Sequence, residues 1–175
     1  MCGIAGFWQM RAAGNMRYMA EAMADQLACR GPDDSGVSVH EEDGVGLAHR
    51  RLSILDLSPA GHQPMYSPSG RYALAYNGEI YNHQDLRAEL EAAGGAFDWR
   101  GHSDTETLLA SLCYWGVHGA LTRLNGMFAL AIWDASERTL FLARDRMGEK
   151  PLYYGRCGNA FLFGSELKAL AAHPD

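Results

Sequence analysis

Cys2 stands directly after the initiator methionine, in the run Met1-Cys2-Gly3-Ile4-Ala5-Gly6-Phe7-Trp8. Aminopeptidases remove Met1 when the next side chain is small, and Cys qualifies. The processed chain then begins with a thiol and a free α-amine on one Cα, a nucleophile that carries its own base. Their reference pKa values are about 8.5 for the thiol and about 7.7–8.0 for the amine. Both therefore titrate close to the pH at which a general base works best. The plainer reading of Cys2 is a small buried side chain opening an edge strand, a common place for Cys.

Three other stretches could serve the same chemistry. A nucleophile that attacks an amide needs an oxyanion hole. Asn77-Gly78, at a turn after a strand, can aim a side-chain amide and a backbone N–H at one point. A zwitterionic amino-acid substrate needs a cation for its carboxylate and an anion for its ammonium, and Arg51 and Asp104 are the candidates. Arg is the better clamp because its guanidinium meets a carboxylate as a two-pronged fork. Each residue also has an ordinary reading: Arg51 as a surface cation, Asp104 as a helix-start acid favoured by the helix dipole, Asn77-Gly78 as a hairpin turn. Spacing alone does not bring them together.

The elements that must position these residues follow from the pattern. Residues 2–8 read as a buried strand, with Gly3 and Gly6 allowing close backbone approach. Asn15 caps a helix reaching about Cys29, on which Met16, Met19, Ala20, Met23 and Leu27 form an apolar stripe. Strands are expected at 36–40, 45–49 and 71–76, and His83 to Ala93 reads as an amphipathic helix closed by Gly94-Gly95. Ser103 caps the next helix, with Glu106 at capping-box spacing, and a short helical piece follows near 118–124. Strands at 127–134, 139–144, 151–155 and 160–164 complete the sheet content, and Ser165 opens a last helix. Strands joined by tight turns point to antiparallel sheets and a layered α+β sandwich.

Composition narrows the function classes. The net charge of −6 comes from interspersed acids and bases, so no basic face for nucleic acid is expected. No stretch is long and apolar enough to span a membrane, and the N-terminus lacks the pattern of a signal peptide. The four cysteines, Cys2, Cys29, Cys113 and Cys157, form no CxxC pair, which argues against a zinc site or a disulfide framework and for a reduced, cytoplasmic protein.

Six motifs occur in order: Met1-Cys2-Gly3-Ile4-Ala5-Gly6-Phe7; Arg30-Gly31-Pro32-Asp33; His49-Arg50-Arg51-Leu52-Ser53-Ile54; Tyr76-Asn77-Gly78-Glu79-Ile80-Tyr81-Asn82; Ser103-Asp104-Thr105-Glu106; and Arg144-Asp145-Arg146-Met147-Gly148-Glu149-Lys150-Pro151-Leu152-Tyr153. Together they resemble the class II glutamine amidotransferase domain of glutamine-hydrolysing asparagine synthetases, over nearly the whole chain. The resemblance implies the N-terminal-nucleophile hydrolase fold, a four-layer αββα sandwich of two antiparallel sheets, and a single domain over 1–175. It implies Cys2 as nucleophile toward L-glutamine, with its α-amine as base and Asn77 and Gly78 as oxyanion donors. Arg51 would hold the substrate carboxylate, Asp104 with Glu79 and Gly78 the ammonium, and Leu52, Ser53, Ile54 and Leu55 would line the pocket.

The chain departs from the family pattern where Cys29 replaces the usual His before Arg-Gly-Pro-Asp. That places a second thiol near the expected pocket, able to form a reversible disulfide with Cys2 under oxidation. The Ser-Gly-Gly-x-Asp-Ser loop of the ATP-dependent synthetase domain is absent from these 175 residues. The expectation is a domain cut from something longer, with no metal or organic cofactor of its own. ATP and magnesium belong to the missing synthetase domain, expected as a partner in cis or in trans. A docking module with little activity when isolated is the alternative. A hydrolase for another amide, such as a bile salt or β-lactam, would leave Arg51 and Asp104 without a role.

Overall fold

The computed structural model describes residues 1–9, 14–53, 59–94 and 97–174. The strands are β1 (Gly3–Gln9), β2 (Asp34–His40), β3 (Val45–Arg51), β4 (Met65–Tyr66), β5 (Tyr72–Ile80), β6 (Gly126–Asp134), β7 (Thr139–Arg144), β8 (Tyr153–Cys157) and β9 (Ala160–Gly164). The α-helices are α1 (Met16–Asp25), α2 (His83–Ala92), α3 (Asp104–Arg123) and α4 (Leu167–Leu170). One sheet runs β2-β3-β1-β9-β8 and the other β4-β5-β6-β7, and every pairing is antiparallel.

Alternation along the strands builds four layers. In β1, Ala5 and Phe7 face the methionine stripe of α1 and Ala169 of α4, whereas Ile4 faces Ala75 and Ala129 of the second sheet. In β5, Tyr72, Leu74, Tyr76 and Ile80 face the helix layer of α2 and α3, whereas Ala73 meets Val45, Leu47 and Phe163 between the sheets. Helices thus cover both outer faces, and small side chains fill much of the inner space. Each fully buried large apolar residue, such as Ile4 or Phe7, contributes about 1.5–3 kcal/mol to holding the sandwich shut.

The αββα architecture expected from the resemblance is the one observed, with local differences. Helix α1 ends at Asp25 and the chain to Arg30 is turn. The helical piece near 118–124 belongs to α3, which kinks at Gly116, where φ is 71°. Strand β8 begins at Tyr153 and not at residue 151, because Pro151 has no N–H for the ladder. Ser165 opens no helix: its N–H donates to Ile4 O at 2.8 Å and its Oγ accepts from Ile4 N at 3.0 Å, prolonging the pairing to β1. The last helix is one turn, from Leu167. Gly94, at φ 80°, closes α2 as expected, while Gly95 lies outside the described residues.

Asn77-Gly78 is not a turn. Both residues lie inside β5, opposite Ala129 and Phe128 of β6. Glycine is required here for close approach, since a Cβ would stand 2.7 Å from Phe128 Cβ.

Candidate active site

Cys2 enters the site because its neighbours are pinned. Gly3 sits opposite Arg50 of β3, Ser165 brackets Ile4, and Arg30 Nε donates to Cys2 O at 2.9 Å. Arg30 is itself held by Glu166 at 3.2 Å. The thiol lies against the chain leaving β3: Leu52 N–H donates to Sγ at 3.4 Å, and Sγ is 3.6 Å from Leu52 O. Asp33 fixes that departing chain by accepting Ser53 N–H at 2.8 Å. The Arg30-Gly31-Pro32-Asp33 segment is thus a double clamp on Cys2 and on the strand end beside it, beyond the helix-breaking role its Gly and Pro suggest.

The paired arginines part company by strand alternation. Arg50 turns outward to α1, where it binds Ala24 O at 3.2 Å and Asp25. Arg51 turns inward with His49 and Leu47 and lines a cavity between the two sheets. Its guanidinium lies against Gly61, where any Cβ would collide with it. His49 Nε2 donates to Tyr76 O at 3.0 Å, joining the sheets behind the cavity. Burial pushes its pKa down to about 4, so the ring is neutral.

The residues expected to donate to an oxyanion come from the free edge of β5. Phe128 N and O both bond Asp145, at 3.2 and 2.8 Å, so they point away from Gly78, which stands opposite Phe128. Antiparallel geometry then turns the N–H groups of the even-numbered residues of β5 outward. Tyr72 N–H goes to Ser67 Oγ (3.0 Å), Tyr76 N–H to Gln63 Oε1 (2.7 Å) and Ile80 N–H to Asp104 Oδ2 (2.9 Å). Between the last two, the Gly78 N–H meets no acceptor among the described residues. Beside it, the Asn77 side-chain amide Nδ2 is buried and has no hydrogen-bond partner among the described residues. A buried donor left unmade is costly, and two adjacent ones form a ready anion receptor.

Asp104 stands at the first position of α3, behind the Ser103 cap, whose Oγ accepts Glu106 N–H at 3.2 Å. The Glu106 carboxylate does not return to Ser103; it accepts from Arg100 N and Gly101 N, at 2.7 and 3.0 Å. Tyr76 OH donates to Asp104 Oδ2 at 2.6 Å, and Ile80 N–H uses the same oxygen. Oδ1 has no donor among the described residues. Burial and the Asp104 charge push the Tyr76 phenol far above its ordinary pKa, so it stays a donor.

Cys2, Arg51, Leu52, Asn77, Gly78, Glu79 and Asp104 all line one cavity of about 240 Å³, with Met1 and Lys150. Ser53 does not line it. Ile54 and Leu55 lie outside the described residues. Cys29 also stays off the cavity: it is exposed, and Lys168 Nζ donates to its Sγ at 3.4 Å. Lys150 and Gln63, which the sequence reading did not single out, do line it. Arg30 was missed as well, because its partner lies 28 residues away.

The glutamine amidotransferase domain family matches residues 1–175. The chain is 44% identical over 178 residues to asparagine synthetase [glutamine-hydrolyzing] 3 of Bacillus subtilis, covering 100% of this chain and 28% of that protein. It is 40% identical over 172 residues to asparagine synthetase B [glutamine-hydrolyzing] of Escherichia coli, covering 97% of this chain and 30% of the relative. The chain thus spans less than a third of the length of either. The solved glutamine phosphoribosylpyrophosphate amidotransferase of B. subtilis, complexed with ADP and GMP, superposes with a TM-score of 0.78 at 23% identity, over 98% of this chain and 43% of that one; that likeness concerns the fold. No helix among the described residues is long and apolar enough to cross a membrane. By the match along its whole length, the chain belongs to the glutamine amidotransferase domain family.

Proposed function

We propose that this chain, once Met1 is removed, hydrolyses L-glutamine to glutamate and ammonia. The observation that carries the reading is the meeting of Cys2 with the unpartnered Asn77 amide and the Gly78 N–H in one cavity. The cavity also holds a cation, Arg51, and an anion with an open oxygen, Asp104 Oδ1, as the two ends of an amino acid require. A bile salt or penicillin-type β-lactam lacks the α-ammonium that Asp104 would hold. No observation favours the docking-module reading.

In this scheme the α-amine of Cys2 takes the thiol proton and Sγ attacks the side-chain carboxamide carbon. Asn77 Nδ2 and Gly78 N–H receive the oxyanion. The protonated amine returns its proton to the departing nitrogen, the C–N bond breaks, and ammonia leaves a γ-glutamyl thioester. Water, giving a proton to the amine, attacks the thioester carbonyl; glutamate departs and the thiol is restored. Thiol, amine and hydrogen-bond donors suffice for each step, without a metal or organic cofactor.

The ammonia is destined for an ATP-dependent amidation by a synthetase domain, in cis in a longer protein or in trans. That domain would use ATP and magnesium. Residues 1–175 act as one glutaminase domain, in the cytoplasm, where a reducing environment suits the four free cysteines. Intact mass and glutamate release on the purified chain, beside Cys2→Ala, test the scheme. Loss of Met1 with activity only in the wild type supports it. Loss of Met1 with equal activity in both chains defeats it.

A further inference from the structure

Lys150 is an unexplained cation in the cavity. It is buried, with 7% of its surface exposed, and it forms no ion pair among the described residues. Among the described residues its ammonium has one hydrogen-bond partner, Met1 Sδ, at 3.5 Å. Met1 is the residue that processing removes.

The backbone around Lys150 is held firmly in place. Asp145 Oδ2 accepts Lys150 N–H at 3.0 Å and Asp145 Oδ1 accepts Glu149 N–H at 2.9 Å. Burial acts to raise the Asp145 pKa, but these backbone donors hold it below the usual carboxylate range. Arg144 Nε donates to Lys150 O at 2.6 Å and Arg144 also binds Gly148 O. Two residues on, Leu152 packs against Ile4, Ala75 and Ala129, under the strands that carry Cys2 and Asn77. Burying an ammonium without an anion is expensive, and the surrounding loop is built to keep it there.

From this geometry we infer that Lys150 is a positioning residue for the proton chemistry: its charge keeps the α-amine of processed Cys2 neutral and so able to take the thiol proton. When Met1 leaves, the new α-amine belongs to Cys2, which lines the same cavity as Lys150. Two cations crowded together lose a proton from the group with the lower intrinsic pKa, and that is the α-amine, at about 7.7–8.0 against about 10.4 for lysine. The other charges facing Cys2 stay in place when Lys150 alone is changed. Arg30, on Cys2 O, and Arg51, across the cavity, act in the same direction. Asp104, an anion held by the neutral donors Tyr76 OH and Ile80 N–H, acts against it. Glu79 lies at the exposed rim. Asp145 holds the Lys150 backbone, and His49 is neutral. The inference rests on the proposal that the α-amine is the base.

The test compares wild type, Lys150→Met and Lys150→Arg, each confirmed by mass to lack Met1. Glutaminase kcat/KM is measured from pH 5.5 to 9.5, alongside the rate of Cys2 alkylation by iodoacetamide, which needs no turnover. Lys150→Met should move the acidic limb of both profiles up by about one pH unit, costing about tenfold on that limb, and should converge with wild type at high pH. Lys150→Arg should keep the wild-type limb. Superimposable limbs in wild type and Lys150→Met, whatever the drop in rate, overturn the inference. If Lys150→Met does not fold, Lys150→Gln takes its place: a limb shifted up relative to wild type supports the role, and superimposable limbs overturn it. If glutamine is not hydrolysed by any chain, the glutaminase reading fails while the alkylation profiles still judge Lys150.

Discussion

Tyr76 reaches across from β5 to donate its phenolic proton to Asp104 Oδ2 at 2.6 Å, tying the strand that carries Asn77 and Gly78 to the start of α3. One oxygen of Asp104 is thereby committed to the protein, and the other has no donor among the described residues. Tyr76→Phe removes a bond to a charged group, a class of interaction that contributes about 1.5–3 kcal/mol. The expected result is a KM for L-glutamine raised roughly tenfold or more, with kcat changed far less. Steady-state kinetics decide it; a fall confined to kcat would contradict the role.

Asn77→Ala leaves the strand pairing intact and removes only the buried amide. Loss of one oxyanion donor costs about a hundredfold to a thousandfold in kcat, and KM should hardly move. Gly78→Ala acts differently. Its new methyl would press on Phe128 Cβ at 2.7 Å, an overpacking of the kind that costs about 1–3 kcal/mol. Thermal melts should separate the two variants, with Asn77→Ala close to wild type and Gly78→Ala several degrees lower.

Arg30→Ala frees the Cys2 carbonyl and leaves Glu166 with Lys168, at 2.9 Å, as its cation partner. Glutaminase activity should drop at least tenfold although the residue never touches substrate. Arg30→Lys should recover part of it, because one donor can still reach the carbonyl. Equal activity in all three chains would show that the clamp is dispensable.

His49 makes stability depend on pH in a defined window. Its folded pKa of about 4 lies below its unfolded value of 6.5, so the unfolded chain binds more protons between the two. Stability is therefore complete above about pH 6.5 and declines as pH falls toward 4, by about 3 kcal/mol at most. His40, whose pKa burial also lowers, has the same sign. Melting temperature against pH for wild type and His49→Gln isolates the larger contribution: the variant's curve should be flatter from pH 6.5 to 4. Parallel curves would remove His49 as the cause.

Much of this arrangement is legible in the chain, and the gaps have physical causes. Helix signals are local, so the methionine stripe of α1, the Ser103 cap and the Gly94 terminus are read correctly. Asn77-Gly78 misleads because the dipeptide favours a turn, while here glycine serves the approach of β6, a segment nearly 50 residues away. Ser165 misleads for the same reason: its partner is Ile4. Strand alternation does predict that Arg50 and Arg51 face opposite ways, but it does not say which faces the cavity until the second sheet is in place. Arg30 and Lys150 carry no local signature, since each matters only through a residue at the far N-terminus.

The edge of β5 has a further consequence. A nine-residue strand that pairs with β4 over only two residues presents the kind of open backbone that invites another chain to add itself. Ser67, Gln63 and Asp104 occupy that edge with side-chain acceptors, and the one gap they leave, at Gly78, is the place where a substrate's oxyanion would bind. The groups that shape the pocket are therefore also the chain's protection against self-association, and replacing Gln63 together with Asp104 would expose a sticky strand as well as empty a binding site.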